Sequence, residues 1–490
     1  MVVLLLACAS PPPTIEAVHF VRGGILHGTT VENRAWKPGE VVNGTAAPTT
    51  PECVPMFHVE LEDMSRLAAM DAPSPGAALA FSPDGRWLAI GSDGGSLRIV
   101  DAASGVERAR TTISEGAVKQ VAWAPDGQTL YAGEQSPDAT LAALDVSTLA
   151  QRWQVRLADD LETSALPPAD DVLGLYSLPA VYGLSVLDDG SVLVTGAHGW
   201  PQADGTRKNR SRLYRIGADG KQLGAWPNAA AADGIMLHPA VSGRQAAVVM
   251  SRSATGPDPA DLPIGGLAVI DLDTMTPRWQ TRFPVLAPYF TEVFAWDAIA
   301  LEAGTAMAGL GDGRVFLYDD AGAPLTTLTP GVPMLSQGVP IAAGVGFGTL
   351  RDGITYFATT ETNIPFGSTD PALRPPTAHP AQFTVHAVRR DGSLVWARPL
   401  DHHTAGVVMS PDGTTVLVGA GARMTDERVD LYGAVLLDAA SGAPVTACST
   451  EGPAHFRPVW SPDGREIAVT EAPFTVDGVV HGAYRITVFR

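Results

Sequence analysis

Three cysteines stand in 490 residues: Cys8, Cys53 and Cys448. So few exclude a disulfide-dense scaffold. No C-x-x-C pair and no Cys/His cluster of zinc spacing occurs, so no structural zinc site is expected. Charge is scarce as well. Charged residues are 17% of the chain, and 52 acidic against 33 basic leave a net charge of −19. A polyanion would be repelled on average, so nucleic acid is not expected as a partner. No apolar run reaches the length of a spanning helix. The common catalytic motifs are missing too. There is no G-x-S-x-G elbow for a serine nucleophile. No P-loop occurs, and no G-x-G-x-x-G follows a strand and opens a helix. "GSDGGS" (91–96) begins like a calcium loop but lacks the later Glu. What the chain has in quantity is glycine (51) and proline (40), with 45% hydrophobic residues. That balance points to many short strands joined by tight turns.

A repeat bears this out within the sequence. "SPDG" stands at 82–85, 410–413 and 461–464, and "APDG" at 124–127. Pro-Asp-Gly between apolar runs is a hairpin turn: Pro sets φ, Asp caps, Gly takes positive φ. A second turn recurs at "IVDAASG" (99), "ALDVSTL" (143), "YRIGADG" (214), "VIDLDTM" (269), "LYDDAGA" (317), "HAVRRDG" (386) and "LLDAASG" (436). Four strands per unit of about 40 to 50 residues is the signature of propeller blades. An eighth unit begins at "PVWSPDGREIAVT" and ends with the chain after three strands. An unfinished blade exposes an edge, and "VPMFHVEL" (54–61) can supply the missing strand. The expected fold class is therefore an all-β propeller of eight four-stranded blades with N-terminal strand closure. Seven blades is the alternative, because 157–182 and 284–340 are irregular. Residues 9–52 read as an extended tether, Pro-rich at its start, and 53–490 as one propeller domain. Cys53 opens the closing strand and Cys448 follows the outer strand of the seventh blade. A bridge between them would close nearly the whole ring, worth on the order of 4 to 5 kcal/mol in the entropic model.

The "SPDGR" hairpins resemble WD-repeat-like and TolB-like propellers. "TLAQRWQV" (148–155), "TMTPRWQT" (274–281) and "DGSLVWAR" (391–398) resemble the turn-then-tryptophan pattern of quinoprotein-like, or PQQ-like, propellers. That resemblance implies that Trp153, Trp279 and Trp396 dock between neighbouring blades. The Gly-His and Trp-Asp pairs of strict WD repeats are absent, and so is the vicinal cysteine pair of quinoprotein alcohol dehydrogenases. Binding of PQQ is accordingly not expected. The N-terminal "MVVLLLACAS" ends in Leu5-Leu6-Ala7-Cys8, which resembles the lipobox of bacterial lipoproteins. It implies a truncated signal segment at 1–8, lipidation of Cys8 and an extracytoplasmic, outer-membrane location.

Function is expected where the blades stop resembling one another. The first and third turns of each unit are short and share one face. The other face carries the long insertions, among them 197–211, 251–263, 360–382, 422–433 and 471–482. Long loops on one face of a rigid scaffold usually carry binding, here of a protein or cell-surface ligand. The alternative is an enzyme at the channel mouth, a metal-assisted hydrolase or a quinoprotein-like oxidoreductase. His402, His403 and His455 precede inner strands of adjacent blades, and Glu292 and Asp297 precede the fifth. His403, His455 and Asp297 are weak candidates for a metal site, since no spacing fixes their geometry. Asp188-Asp189 and Asp319-Asp320 fall in turns and read as solvated.

Overall fold

In the computed structural model, Asp84 accepts hydrogen bonds from Ser82 Oγ (2.6 Å) and Arg86 N (3.1 Å), and Gly85 takes φ +71. Asp412 and Asp463 repeat the arrangement with Ser410 (2.6 Å) and Ser461 (2.8 Å). The serine hydroxyl, with the backbone N–H groups, holds all three carboxyls below their ordinary value. Each aspartate is occupied by its own turn.

The structure describes residues 15–21, 24–31, 53–62, 78–168, 173–202, 207–251, 262–263, 265–284, 297–302, 304–331, 334–336, 339–362, 379–400, 403–421, 432–476 and 479–490. These strands make a β-propeller. Seven four-stranded antiparallel units, each paired in chain order, span 78–112, 117–156, 180–226, 240–282, 299–328, 343–399 and 403–450. An eighth contains Ala454–Trp460, Ile467–Glu471 and Arg485–Phe489, with Pro55–Glu60 as its fourth strand. The described strands thus form eight blades. The irregular stretch after 284 still holds a regular fifth blade. Within a blade the second and third strands are buried almost throughout, as in Trp87–Gly91 and Ser96–Asp101, whereas the fourth alternates, as in Glu107–Thr112. The core accordingly lies in layers between blades, each shared by two neighbours. Leu193 and Leu213 of blade 3, for example, pack with Val248 and Ile270 of blade 4.

The seam between blades 8 and 1 is fastened at several points. Pro55–Glu60 pairs with Arg485–Phe489. Arg98, buried in blade 1, donates to Glu60 O (2.8 Å) and to Glu62 (2.8 Å). On the other side of the closing strand, Cys53 is joined to Cys448 of blade 7 in a disulfide, with Cα atoms 4.7 Å apart across 395 residues. Aromatic rings dock against the glycine of the next blade's turn. A Cβ on Gly220, Gly322 or Gly442 would lie 2.9, 2.6 or 2.5 Å from Trp153, Trp279 or Trp396. Trp153 and Trp396 also donate to Ala218 O (2.8 Å) and Ala439 O (2.9 Å) of those turns. The closing strand does the same with Phe57, 2.4 Å from such a Cβ on Gly105.

One expectation needs correction. Part of the segment read as an extended tether is a hairpin: Ile15–Val21 pairs with Gly24–Val31. Both runs are rich in strand-forming residues and are separated by Arg22 and Gly23 in the sequence, whereas the prolines that suggest an extended chain all precede them. The long-loop side also holds structure of its own. Met334–Ser336 pairs with Val339–Ile341, and Phe474–Val476 with Val479–His481. The proposed lipidation residue, Cys8, lies outside the described residues.

Candidate functional site

The two faces differ as the loop lengths suggest. Every first-to-second and third-to-fourth connection is a short turn, whereas the blade-to-blade connections and second-to-third loops are often long. Residues 203–206, 252–261, 363–378 and 422–431, which connect second strands to third strands, lie outside the described residues.

First strands of most neighbouring blades lie side by side around the channel. Five of them carry a register shift, at 118/120, 181/183, 343/345/347, 404/407 and 455/459 in blades 2, 3, 6, 7 and 8. A bulge re-aims the residue it contains. Here the bulged positions include Lys119, Tyr182, Gly406 and Arg457. Lys119 Nζ lies 3.5 Å from Asp93, and Gln120 donates to Tyr182 O at 2.9 Å. Arg457 donates through Nε to Asp297 Oδ2 at 2.7 Å, and its terminal nitrogen meets the same oxygen. Asp297 is fixed by backbone bonds to blade 6, from its N to Gly346 O (3.0 Å) and from Gly348 N to its O (3.2 Å). The pair therefore ties blade 8 to blades 5 and 6, past blade 7. Glycine makes the passage possible: a Cβ on Gly406, at φ +139, would lie 2.8 Å from Arg457 Cα. Burial lowers the pKa of the adjacent His238, on which Asp297 and Arg457 act with opposite signs.

This geometry changes the metal reading. Asp297 is committed to a guanidinium, which competes with any cation for the same oxygens. His403 opens the first strand of blade 7, with its ring 5.7 Å from Phe383. His455 sits in Ala454–Trp460, its backbone opposite Thr470. His402 and Glu292 lie outside the described residues. Among the described residues no group of three or more His, Cys, Asp or Glu is placed to hold a metal. Asp189, read as solvated, is instead paired with Arg215 (2.5 Å) and Arg244 (2.9 Å).

Other polar groups on this side serve the scaffold. Glu471, fully buried, accepts from Arg485 (2.6 Å), Thr487 (2.5 Å), Glu451 N (3.1 Å) and Gly452 N (3.0 Å). Buried His198 contacts Leu161 O (2.9 Å), Ser177 O (3.0 Å) and Ser164 Oγ (2.8 Å). All three lie on the 157–179 connection, so this Ser/His contact acts as an anchor between loop and blade. Nothing in a single sequence marks Arg457, His238 or His198 for these places. Their roles come from bulges and cross-blade distances.

Known proteins resemble the chain mainly in fold. The family model described as WD domain, G-beta repeat matches residues 77–101, three strands of blade 1. Over 95 residues, 19% of this chain, it is 35% identical to the ribosome biogenesis protein BOP1 of Homo sapiens. The match spans only 12% of that protein. Among solved structures, the quinohemoprotein alcohol dehydrogenase ADHIIG of Pseudomonas putida HK5 superposes at TM-score 0.56 and 11% identity, covering 89% of this chain and 76% of that one. The C-terminal WD40 domain of Sif2 gives 0.53 and 11%, covering 90% and 98%. The computationally designed Ika8 protein gives 0.51 and 14%, covering 84% and 97%. At such identities the likeness is one of fold.

Proposed function

We propose that this chain, a β-propeller of the WD-repeat-like and PQQ-like kind, is a binding scaffold that engages a protein or cell-surface ligand through its long-loop face. The observation that carries the reading is the asymmetry of the two faces on one rigid ring. Binding usually resides in long loops that a rigid scaffold positions. The channel favours it over the enzyme alternative. Among the described residues, Arg457 is paired there with Asp297 and Lys119 with Asp93. They do not converge on a vacant point, as reacting groups must. No cofactor, PQQ included, enters this reading.

The anchor and location belong to the same proposal. Cys8 takes lipid and holds the propeller outside the cytoplasm, facing the periplasm or the cell surface. The Cys53–Cys448 disulfide suits an oxidising compartment. Labelling with radioactive palmitate should mark the full-length precursor and not its Cys8→Ser variant. An unlabelled precursor would remove the anchor from the account.

The binding face is tested by trimming it. Residues 251–265 and 422–431 can each be replaced by Asn-Gly, which closes a two-residue hairpin between the flanking strands. The trimmed protein should melt as the parent does and lose the partner recovered with the parent by cross-linking. Full retention of that partner would contradict the proposal.

A further inference from the structure

Blade 3 carries a raised hairpin whose charge is opposite to that of the molecule. Its second and third strands, Val192–Pro201 and Arg207–Ile216, run ten residues each, while its fourth, Gln222–Trp226, runs five. The last pair with the fourth strand is Leu213–Trp226. Beyond it the third strand continues on the long-loop side for six residues, about 20 Å at roughly 3.3 Å each. It reads "RKNRSRLYR" (207–215), five basic residues in nine, in a chain of net charge −19. The pairs His198–Arg210 and Trp200–Lys208 set these four side by side. Partly exposed Trp200 is held from two directions. His198 stacks on it at 4.0 Å, and Lys208 Nζ lies 5.2 Å from the ring centre. Deeper in the blade, Arg212 and Arg215 are matched by Asp160 and Asp189. Near the tip two cations share one carboxylate: Lys208 (2.7 Å) and Arg210 (3.5 Å) both face Glu162, whose side chain is 47% exposed.

We propose that this tip docks an acidic segment of a partner protein. Trp200 packs against an apolar side chain of that segment. Lys208 and Arg210 receive its carboxylate in the place Glu162 now fills. The inference rests on the long-loop face being the binding face, and it names the partner's chemistry. Three features favour an acidic peptide. Two cations facing one half-exposed carboxylate leave the tip net positive, complementary to an acidic segment. A ring already held in place loses little entropy on binding, and Trp and Arg dominate interface energetics. Glu162 itself shows that the two cations accept a carboxylate in this geometry.

The test uses the full-length protein and a short fluorescein-labelled peptide of alternating Glu and Leu, read by fluorescence anisotropy. Binding is expected, weakening as salt rises. Trp200→Ala should weaken it roughly tenfold. Lys208→Glu combined with Arg210→Glu should abolish it, and the milder Lys208→Gln should weaken it without disturbing the fold. Glu162→Gln should tighten it, because the internal competitor is gone; a purely structural ion pair would not respond so. The opposite face supplies a control of similar composition. Arg86 and Arg108 flank Trp87 at 4.7 and 4.5 Å on the short-turn side, and Arg86→Glu with Arg108→Glu should leave binding unchanged. No binding to the parent, or tighter binding of a labelled oligo-dT than of the peptide, would overturn the proposal. So would unchanged affinity in Lys208→Glu/Arg210→Glu. If the Arg86/Arg108 changes remove binding instead, the long-loop reading itself fails. If neither pair matters while loop trimming still releases the cellular partner, only the docking tip is lost.

Discussion

Glu134, one residue from the end of the second strand of blade 2, is buried, with Ser136 Oγ donating to it at 2.9 Å. Burial pushes its carboxyl up to about 7, against the opposing pull of the Ser136 and Ser114 hydroxyls. His386 is the counterpart. It stacks on Phe357 at 4.9 Å, and burial pushes it down to about 4. The signs follow from linkage. A raised carboxyl contributes stability that is whole below its unfolded value, near 4.5, and is lost as pH rises through about 7. A depressed imidazole contributes stability that is whole above its unfolded value, near 6.5, and is lost as pH falls through about 4. Each is worth about 3 kcal/mol, so between pH 4.5 and 6.5 they oppose one another. Glu134→Gln removes one of them. The expected outcome is a variant whose urea-denaturation free energy climbs from pH 4.5 to 6.5 more steeply than the parent's, by about 2 kcal/mol over the window. Parallel curves would show that Glu134 is not held protonated.

At the level of strands, closure is the decisive event. Pro55–Glu60 is placed between the third strand of blade 8 and the first blade, with Phe57 against Gly105 and Arg98 bonded to Glu60. Without it, blade 8 presents the backbone of Arg485–Phe489 as a bare edge, which invites pairing with another chain. Removal of residues 1–52 should leave a monomer on size exclusion, and removal of 1–60 should give oligomers and aggregate. Two monomers would mean that the ring is closed by something else. This closure was legible in the sequence because its signals are local. A three-stranded final unit and an unassigned strand before the first blade are visible by counting turns. The docking tryptophans were visible for the same reason, since each follows a recurrent turn. Phe57 was not singled out, because it replaces Trp in that role. The inner-strand bulges were illegible too. The run "HFRPVW" (455–460) contains no mark that Arg457 reaches Asp297, 160 residues earlier. That contact depends on a glycine at 406 in another blade.

On the scale of the whole ring, the interior is settled and the surface is divided. Layers of aliphatic side chains shared between blades hold the ring, and among the described residues Arg457–Asp297 and Lys119–Asp93 pair charges between blades. The short-turn face repeats one hairpin chemistry, in which aspartates are tied to their own serines. The long-loop face carries the extra hairpins, exposed Leu335 (74%) and Val479 (55%), and the basic tip of blade 3. A partner should therefore touch one face and leave the other free. The most direct measurement is a photo-cross-linking scan in cells. A benzophenone side chain is placed singly at Trp200, Leu335 and Val479 on the long-loop face, and at Pro83, Val106 and Pro411 on the short-turn face. Adducts of one size confined to the first set are predicted; equal or exclusive trapping from the second set would contradict the assignment.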